Sequence, residues 1–489
     1  MTGKKYRPWN PTAPYLFPPS PVDWLPEGHL AFFVLDVVDA LDLRAITREV
    51  QRKDPRGTRP YDPRMMVALL LYGYCVGVVS SRKIELATYE DVAFRVISGG
   101  VHPDHSSINQ FRNRHLKSLR QLFVQSVRLS QEAGLVALGR VALDGTKVQA
   151  NASKHKAMSH ERMLKTETEL RREIDELLKE AKQIDRQEDE EFGKDRRGDE
   201  VPGELRRRED RLRKIEEAKA ALEREARHAR ADRLDELAEG QREHAEQTDD
   251  PVEEKRALTR AAKSESEANA LRDDDEEPPP ASSDSEGLPH NRVPTTPDGK
   301  PKPKAQRNFT DPDSRIMMQG GSYVQAYNCQ AAVDEKNQII VASGLTNQAA
   351  DPQHWQPMLE RVEENCAQYP QQFVGDNGFW SEANVEHCEE RGVDAYISVG
   401  RYAHGERAPP AGRGTAPQIR MREKLATEEG KKVYARRKAI VEPVFGQIKE
   451  ARGLRRFLLR GLTKVRAEWD LWCATHNLLK LYRSGWAPA

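Results

Sequence analysis

Apolar residues recur every three to four positions over the first 138 residues, and this spacing predicts helices. One set shares a helical face: Leu30, Phe33, Val34, Val37, Val38 and Leu41. A second apolar run starts after Pro60 and Pro63, and proline is favoured in the first turn of a helix. We therefore predict a helical region over about residues 25–138.

Residues 105–115 predict a further helix with a strongly polar exposed side. Ser106 or Ser107 is a candidate for its N-cap. The exposed side is predicted to carry Asn109, Gln110, Arg112, Asn113 and Arg114. These donors suit phosphate oxygens and base edges, so we interpret the segment as helix-turn-helix-like and DNA-binding. An ordinary basic surface helix explains the same pattern equally well.

From Gly139 onwards apolar residues alternate with polar ones, which predicts strands. The first strand holds Asp144 and is predicted to end or bend there, before Gly145. The later elements are predicted in this order: strands at 323–333 and 338–342 joined by a turn, a helix at 353–368, a strand at 372–376, a helix at 381–390 and a strand at 395–399. This mixed order favours the α/β class, with a sheet covered by helices.

A long charged segment separates the first strand from the others. It carries two apolar seams at helical spacing, one of Met163, Leu170, Ile174, Leu177 and Ala181 and one of Leu212, Ile215, Ala218, Leu222 and Ala226. Breaker residues from Gly193 to Gly203 separate the seams, so an antiparallel helical hairpin is predicted. The acidic and proline-rich residues that follow predict a disordered linker.

The formal net charge of zero hides an uneven distribution. Residues 401–489 contain 20 Lys and Arg against 8 Asp and Glu, an excess of +12, so residues 1–400 sum to −12. A neutral total therefore does not exclude a nucleic-acid partner. The 5 cysteines form no CxxC pair, so neither a disulfide framework nor a cysteine zinc site is indicated. No signal-like or membrane-length apolar run occurs, and we expect a cytoplasmic protein.

Three acidic residues are candidates for a metal site. Asp144 and Asp376 close apolar strands before turn-type residues, which is where α/β sheets usually place their sites. Glu442 precedes Lys449 by two helical turns, so both share one helical face. For each aspartate alone, a turn-capping role is the alternative. Pro443 predicts a kink or a new helix start directly after Glu442.

Two further aspartates compete for a role in the site. Asp334 is predicted to be solvated in a hairpin turn, and Asp351, before Pro352, to be a cap or an auxiliary site residue. The chemistry that would use such acids is cleavage or joining of a phosphodiester. Hard carboxylate oxygens can hold two Mg²⁺ ions that neutralise the phosphoryl group and activate the attacking oxygen.

Taken together, the motifs resemble those of bacterial insertion-sequence transposases of the DDE class, in particular the insertion-sequence four, five and eleven-eighty-two relatives. The matching stretches are Leu25-Pro-Glu-Gly-His-Leu-Ala, Arg59-Pro-Tyr-Asp-Pro-Arg-Met-Met, Pro103-Asp-His-Ser-Ser-Ile-Asn-Gln-Phe-Arg-Asn-Arg-His, Leu143-Asp-Gly-Thr-Lys-Val, Gly375-Asp-Asn-Gly-Phe and Val441-Glu-Pro-Val-Phe-Gly-Gln-Ile-Lys. They follow the family's order across nearly the whole chain.

The resemblance implies an RNase H-like catalytic core in which Asp144, Asp376 and Glu442 hold two Mg²⁺ or Mn²⁺ ions. The family's C-terminal signature has a Tyr, an Arg, the Glu and a Lys at set spacing, and Tyr434, Arg437, Glu442 and Lys449 look like their counterparts. Tyr434, Arg437, Lys438 and Lys449 are expected to contact DNA. Four residues rather than three separate Arg437 from Glu442, and Lys438 stands where the signature has its arginine. The implied partners are double-stranded DNA, as element ends and as target, and a second copy of the chain on paired ends.

The basic residues after the signature suit the DNA backbone. Arg452, Arg455 and Arg456 begin this cluster, for which a solvated surface is the alternative interpretation. The predicted parts of the chain are a helical DNA-binding domain (1–138), the first part of the RNase H-like core (139–158), the inserted charged hairpin (159–272), the linker (273–306), and the remainder of the core with basic C-terminal helices (307–489).

Two other functions remain open at this point. An RNase H-like nuclease would cut DNA without joining it. A coiled-coil DNA-binding scaffold would make the charged hairpin the main feature, but that reading leaves the order of the three acids unexplained.

Overall fold

The structure, a computed structural model, describes residues 20–52, 59–192, 203–273, 288–400 and 414–488. The N-terminal region is helical, as predicted. Its helices are α1 (Leu30–Ala40), α2 (Arg44–Gln51), α3 (Pro63–Val76), α4 (Ser81–Glu90), α5 (Val92–Ser98), α6 (His105–Arg114) and α7 (Leu116–Glu132). Helix α3 is buried along most of its length and packs against α1 and α5. Asp62 caps its N-terminus and Pro63 fills the first turn.

The start of α6 differs from the prediction in its cap. Asp104, not Ser106 or Ser107, is the N-cap residue, and its carboxylate accepts a hydrogen bond from the Ser107 amide at 2.9 Å. The Ser107 hydroxyl donates to the same carboxylate. Aspartate serves this position well because its charge also complements the helix dipole.

A mixed sheet forms the centre of the molecule. It contains β1 (Arg140–Gln149), β4 (Arg315–Gln319), β5 (Ser322–Asp334), β6 (Ile340–Thr346), β7 (Gln372–Gly375) and β8 (Asp394–Ile397), while β2 (Ala157–Ser159) and β3 (Gln306–Asn308) form a separate pair. Strand β5 runs antiparallel to β1, β4 and β6; β7 runs parallel to β1, and β8 parallel to β7. This arrangement confirms the predicted mixed α/β class.

Helices cover both faces of this sheet. They are α11 (Trp355–Cys366), α12 (Glu382–Glu390), α13 (Ala416–Ala426), α14 (Glu428–Gly446) and α15 (Leu462–Arg483), with a π-helical turn at Gln447–Ala451. In helix α15, residues 465–478 are buried on every side. It packs against α3, α7 and β6, and thereby joins the N-terminal helices to the sheet.

The charged insertion contains three helices rather than the predicted hairpin: α8 (His160–Phe192), α9 (Gly203–Gln247) and α10 (Pro251–Asp273). Pro251 occupies the first turn of α10, so it starts a helix instead of ending the segment. Both predicted seams contribute to one buried cluster, which includes Met163, Leu170, Ile215, Ala218, Leu222 and Ala226. The predicted break at 193–202 lies outside the described residues.

The linker predicted at 273–306 is ordered in the part that the structure describes. Residues 274–287 lie outside the described part of the chain, whereas residues 288–306 are ordered. Leu288 packs in the main core and Val293 in the core of the insertion. The few apolar side chains of this stretch pack into these cores. The composition of the segment, rich in proline and charged residues, did not indicate them.

Among the described helices, none alone has the length and apolar composition of a membrane span. Pro63–Val76 and Ser81–Glu90 meet that test only as a pair, which is bent by 96°.

Candidate active site

Asp144 and Asp376 lie side by side on neighbouring parallel strands. Strands β1 and β7 pair from Arg140 with Gln372 to Ala142 with Val374. Two residues further along this register, Asp144 comes opposite Asp376. Asp376 follows the end of β7 as predicted, and its Oδ1 accepts the Gly378 amide hydrogen at 2.8 Å. Asp144, in contrast, lies in the middle of β1, because β5 continues to pair with β1 beyond Gly145.

Arg437 of α14 holds the Asp144 carboxylate. Its Nη1 donates to Asp144 Oδ2 at 2.9 Å, and both side chains are largely buried. Burial raises the pKa of the Asp144 carboxyl, and the nearby Asp376 raises it further. Arg437 and the Gly145 amide act in the opposite direction, but the net shift of the pKa is upward. Of the two basic candidates for the signature position, Arg437 makes this contact, whereas Lys438 is exposed.

Glu442 lies on the same helix, five residues after Arg437, and is exposed. Within the described residues, no three His, Cys, Asp or Glu side chains are grouped closely enough to hold a metal ion. The structure thus brings Asp144 and Asp376 together but does not complete a three-carboxylate cluster with Glu442. Pro443 lies inside α14 without ending it, and the helix continues to Gly446.

Lys449 reaches the same edge of β1 from the π-helical turn that follows α14. Its Nζ donates to Thr146 Oγ1 at 3.0 Å and lies 3.4 Å from the Lys147 carbonyl oxygen. Because side chains alternate along a strand, Thr146 and Asp144 project from the same face of the sheet. Lys449 therefore places a positive charge on the face of the sheet that carries Asp144. Such π-helical turns are frequent at functional sites.

The opposite face of the same strands carries a polar network centred on Asp351. Its Oδ1 accepts hydrogen bonds from Asn328 Nδ2 at 2.7 Å and Gln330 Nε2 at 2.8 Å, and Lys147 Nζ lies 3.5 Å away. Burial alone would raise the pKa of Asp351. His354, Lys147 and the two amides outweigh it and lower the pKa to about 2.

This network lies close to Asp376. A Cβ added to Gly378 would lie 2.8 Å from Asp376 Oδ1 and 3.5 Å from Asp351 Oδ2. Gly145 is equally confined, because a Cβ there would come within 2.5 Å of Gln330 Nε2. Gly145 therefore leaves room for the Gln330 side chain, and Gly378 leaves room for the carboxylates of Asp376 and Asp351.

Our sequence reasoning missed Asn328 and Gln330. They alternate along β5 and both are fully buried. Polar residues at period two within an apolar strand were the available signal. Asp351 was predicted as a cap or an auxiliary site residue, and its contacts favour the latter role. Asp334 was predicted to be solvated, and that prediction is wrong. It is buried, and its carboxylate accepts hydrogen bonds from the backbone amides of Leu138 and Lys336.

The residues predicted to bind DNA divide into exposed and buried ones. The exposed ones are Asn109, Gln110, Arg114, Lys438, Arg455 and Arg456. Arg114 pairs with Glu49 at 2.6 Å, and Arg455 pairs with Glu450. Asn113 and Tyr434 are half-buried.

Three of the residues predicted to contact DNA are buried: Arg112, Arg437 and Arg452. Arg112 donates to the Val79 carbonyl and to Asn109, and Arg452 donates to Thr475 and to the Trp472 carbonyl. Each of the guanidinium groups of Arg112 and Arg452 therefore donates to one backbone carbonyl oxygen and one side-chain oxygen.

Two family models match the chain at its two ends. The transposase domain of unknown function number 772 matches residues 20–114, and the transposase DDE domain matches residues 411–482. No curated protein and no solved structure matches the chain. The first match covers most of the N-terminal helices, and the second covers the segment with Arg437, Glu442 and Lys449. The chain is therefore similar to transposases at both ends, and to the transposase DDE domain in its C-terminal segment.

Proposed function

We propose that this transposase cuts DNA strands at the ends of an insertion sequence and joins them to target DNA, with Asp144, Asp376 and Glu442 as its metal-holding residues. The observation that carries the proposal is the proximity of Asp144, in β1, to Asp376, which directly follows the parallel strand β7. Two carboxylates so close repel each other, and a bound cation relieves that repulsion.

We also propose that the sheet is an RNase H-like core, divided along the chain by the helical insertion. Its support is the strand order β6-β5-β1-β7-β8, in which β1, β5 and β6 are antiparallel and β7 and β8 run parallel to β1. Residues 139–158 and 307–489 would form this core, and residues 1–138 would form the domain that binds the element ends.

The donor set suits a hard divalent cation such as Mg²⁺ or Mn²⁺. Asp144 and Asp376 offer carboxylate oxygens, which these ions prefer, and Glu442 would be the third ligand. A bound pair of such ions supplies charge neutralisation at the phosphoryl group and an activated oxygen nucleophile. Glu442 lies on α14, which packs against β1, β5, β7 and β8. Binding of DNA or metal would have to bring its side chain to the two aspartates.

The other residues of the site have roles in holding the substrate and its acids. Arg437 keeps the buried Asp144 charged and oriented until a cation takes over that task. Lys449, held at Thr146, is positioned to contact a phosphate beside the aspartates. The exposed side of α6, with Asn109, Gln110 and Arg114, would contact the DNA at the element ends. Two copies of the chain would act on paired ends.

The experiment that tests this function offers the chain intact and pre-cut DNA carrying both ends of its own element, with Mg²⁺. We expect strand cleavage of intact ends and integration of pre-cut ends into a plasmid. Asp144→Asn should abolish both reactions while leaving DNA binding largely intact. Lys438→Gln, which changes an exposed charge on α14, serves as the control.

Each other outcome has a distinct meaning. Cleavage without integration of pre-cut ends would identify a nuclease that does not join DNA. Full cleavage by the Asp144→Asn variant would refute the assignment of the site.

A further inference from the structure

A cationic cavity of about 440 Å³ lies on one flank of α14. Its walls come from the turn between β5 and β6, from α14, and from the C-terminal end of α15. Four cationic side chains line it: Lys336, Arg436, Lys480 and Arg483. Glu335 is the one acidic residue among the lining residues.

The cations in this cavity exceed the acid that faces them. Glu335 is already shared by Arg436 and by Arg140, whose Nη1 lies 2.8 Å from it. Lys480 Nζ donates to the neutral Gln338 Oε1 at 2.8 Å. Among the described residues, neither Lys480 nor Arg483 forms an ion pair. Burial and the neighbouring Arg483 lower the pKa of Lys480, as expected for an ammonium group without a compensating anion.

The cavity wall is held in a fixed conformation at Gln338. This residue adopts a left-handed backbone conformation with a φ of 58°, which residues other than glycine rarely adopt. Its Nε2 donates to the Ala439 carbonyl at 3.0 Å, and its own carbonyl oxygen lies 2.9 Å from His476 Nε2. With the Lys480 bond, these contacts tie the turn to both α14 and α15. Backbone strain of this kind persists only where the surroundings enforce it, and it is concentrated at functional sites.

The cavity adjoins the candidate active site through α14. Arg436 lines the cavity, and the next residue, Arg437, binds Asp144. Successive Cα atoms lie about 3.8 Å apart, so the two arginines diverge from one point of the helix. The cavity and the candidate site are therefore lined from consecutive positions of α14.

We propose that this cavity binds phosphodiester oxygens of the DNA backbone that flanks the scissile position. The inference rests on the proposed action on DNA. Phosphate oxygens are the ligand class that suits lysine and arginine side chains lacking acidic partners. No base edge is read here, so the contact would strengthen binding to every sequence alike.

The test is the salt dependence of DNA binding by the full chain, followed by fluorescence anisotropy on a labelled duplex. In the double variant Lys480→Gln/Arg483→Gln, the slope of log affinity against log salt should fall by about 2, with equal loss for all sequences. Arg483→Gln alone, at an exposed position, should lower the slope by about 1 and guards against misfolding of the double variant. The matched control is Lys255→Gln/Lys263→Gln, two exposed lysines of α10.

The outcomes separate this inference from the proposed function. If the unmodified chain binds DNA and the cavity variants keep its slope, as the α10 control should, the cavity contacts no DNA and the inference is wrong. That result would also follow if the cavity served a free phosphate. If the unmodified chain binds no DNA, the proposed function fails together with the inference.

Discussion

Arg437 Nη1 lies 2.9 Å from Asp144 Oδ2, across 293 residues of sequence. The contact links the helix of the C-terminal family match to the first strand of the sheet. The Arg437 guanidinium group occupies the Asp144 carboxylate oxygen that a catalytic metal ion would also need as a ligand. Arg437 therefore stabilises the buried carboxylate in the metal-free protein, and we expect it to compete with the metal.

The first prediction concerns removal of this arginine. Arg437→Gln leaves a largely buried carboxylate without its cation, and such a loss costs about 1–3 kcal/mol of unfolding free energy. Chemical denaturation without divalent metal measures this cost. Because Arg437 lowers the pKa of Asp144, its loss should raise that pKa further and shift the acidic limb of the cleavage rate to higher pH. The exposed Lys438→Gln should change stability by less than about 0.5 kcal/mol. An equally stable Arg437→Gln variant would show that the ion pair contributes nothing.

The second prediction concerns Asp351, whose pKa falls from 3.8 to about 2 on folding. A depressed carboxyl pKa gives stability that is present above pH 4 and is lost as the pH falls from about 4 to 2. The shift corresponds to about 2 kcal/mol. The Asp351→Asn variant should lose this stability at neutral pH, and its free energy of unfolding should depend less on pH between about 4 and 2.

Urea titrations at several pH values measure both effects for Asp351. The matched change Asp175→Asn, at an exposed position on α8, should leave the pH profile unaltered. An Asp351→Asn variant with the parent's acid limb would mean that another group carries this dependence.

The third prediction concerns His476, buried in α15 beside the Gln338 carbonyl. Burial lowers the pKa of His476 to about 3, whereas an unfolded histidine titrates near 6.5. Between these values only the unfolded state takes up the proton, so the folded state loses stability as the pH falls below about 6.5.

Replacing His476 by Gln should remove this dependence, about 1.4 kcal/mol per pH unit. Thermal or urea unfolding between pH 7 and pH 4 is the measurement. The exposed His155→Gln is the control and should retain the parent's slope. An unchanged slope in His476→Gln would assign the pH dependence to other groups.

Much of the fold followed from local pattern. The period-two alternation located β5 and β6, and the apolar strand before Asp376 located β7. The shared site of Asp144 and Asp376 was predicted from the order of the motifs and their resemblance to a family, because each strand-end aspartate alone could equally have capped a turn. The predicted end of β1 was wrong. The strand continues past Asp144 because it pairs with β5, and that tertiary contact has no signal in the local sequence.

Burial of charge was the other point that the sequence did not reveal. Arg112 and Arg452 look like surface cations in the sequence, yet both side chains are buried and donate to backbone carbonyls. Whether a guanidinium group meets solvent or a carbonyl depends on which helices pack over it, and those helices are distant in sequence. The same limit hid the Asp351 network, whose members become neighbours only when β5 pairs with β1.

The most direct test of the central claim is metal binding by the three acids. Mn²⁺ is titrated into the full chain bound to a duplex that carries its element end, and the affinity is measured by calorimetry. Asp144→Asn, Asp376→Asn and Glu442→Gln should each weaken binding by at least about tenfold, while the exposed Glu428→Gln should not. Parental Mn²⁺ affinity in the Glu442→Gln variant, with loss in the two aspartate variants, would contradict a site built from all three carboxylates.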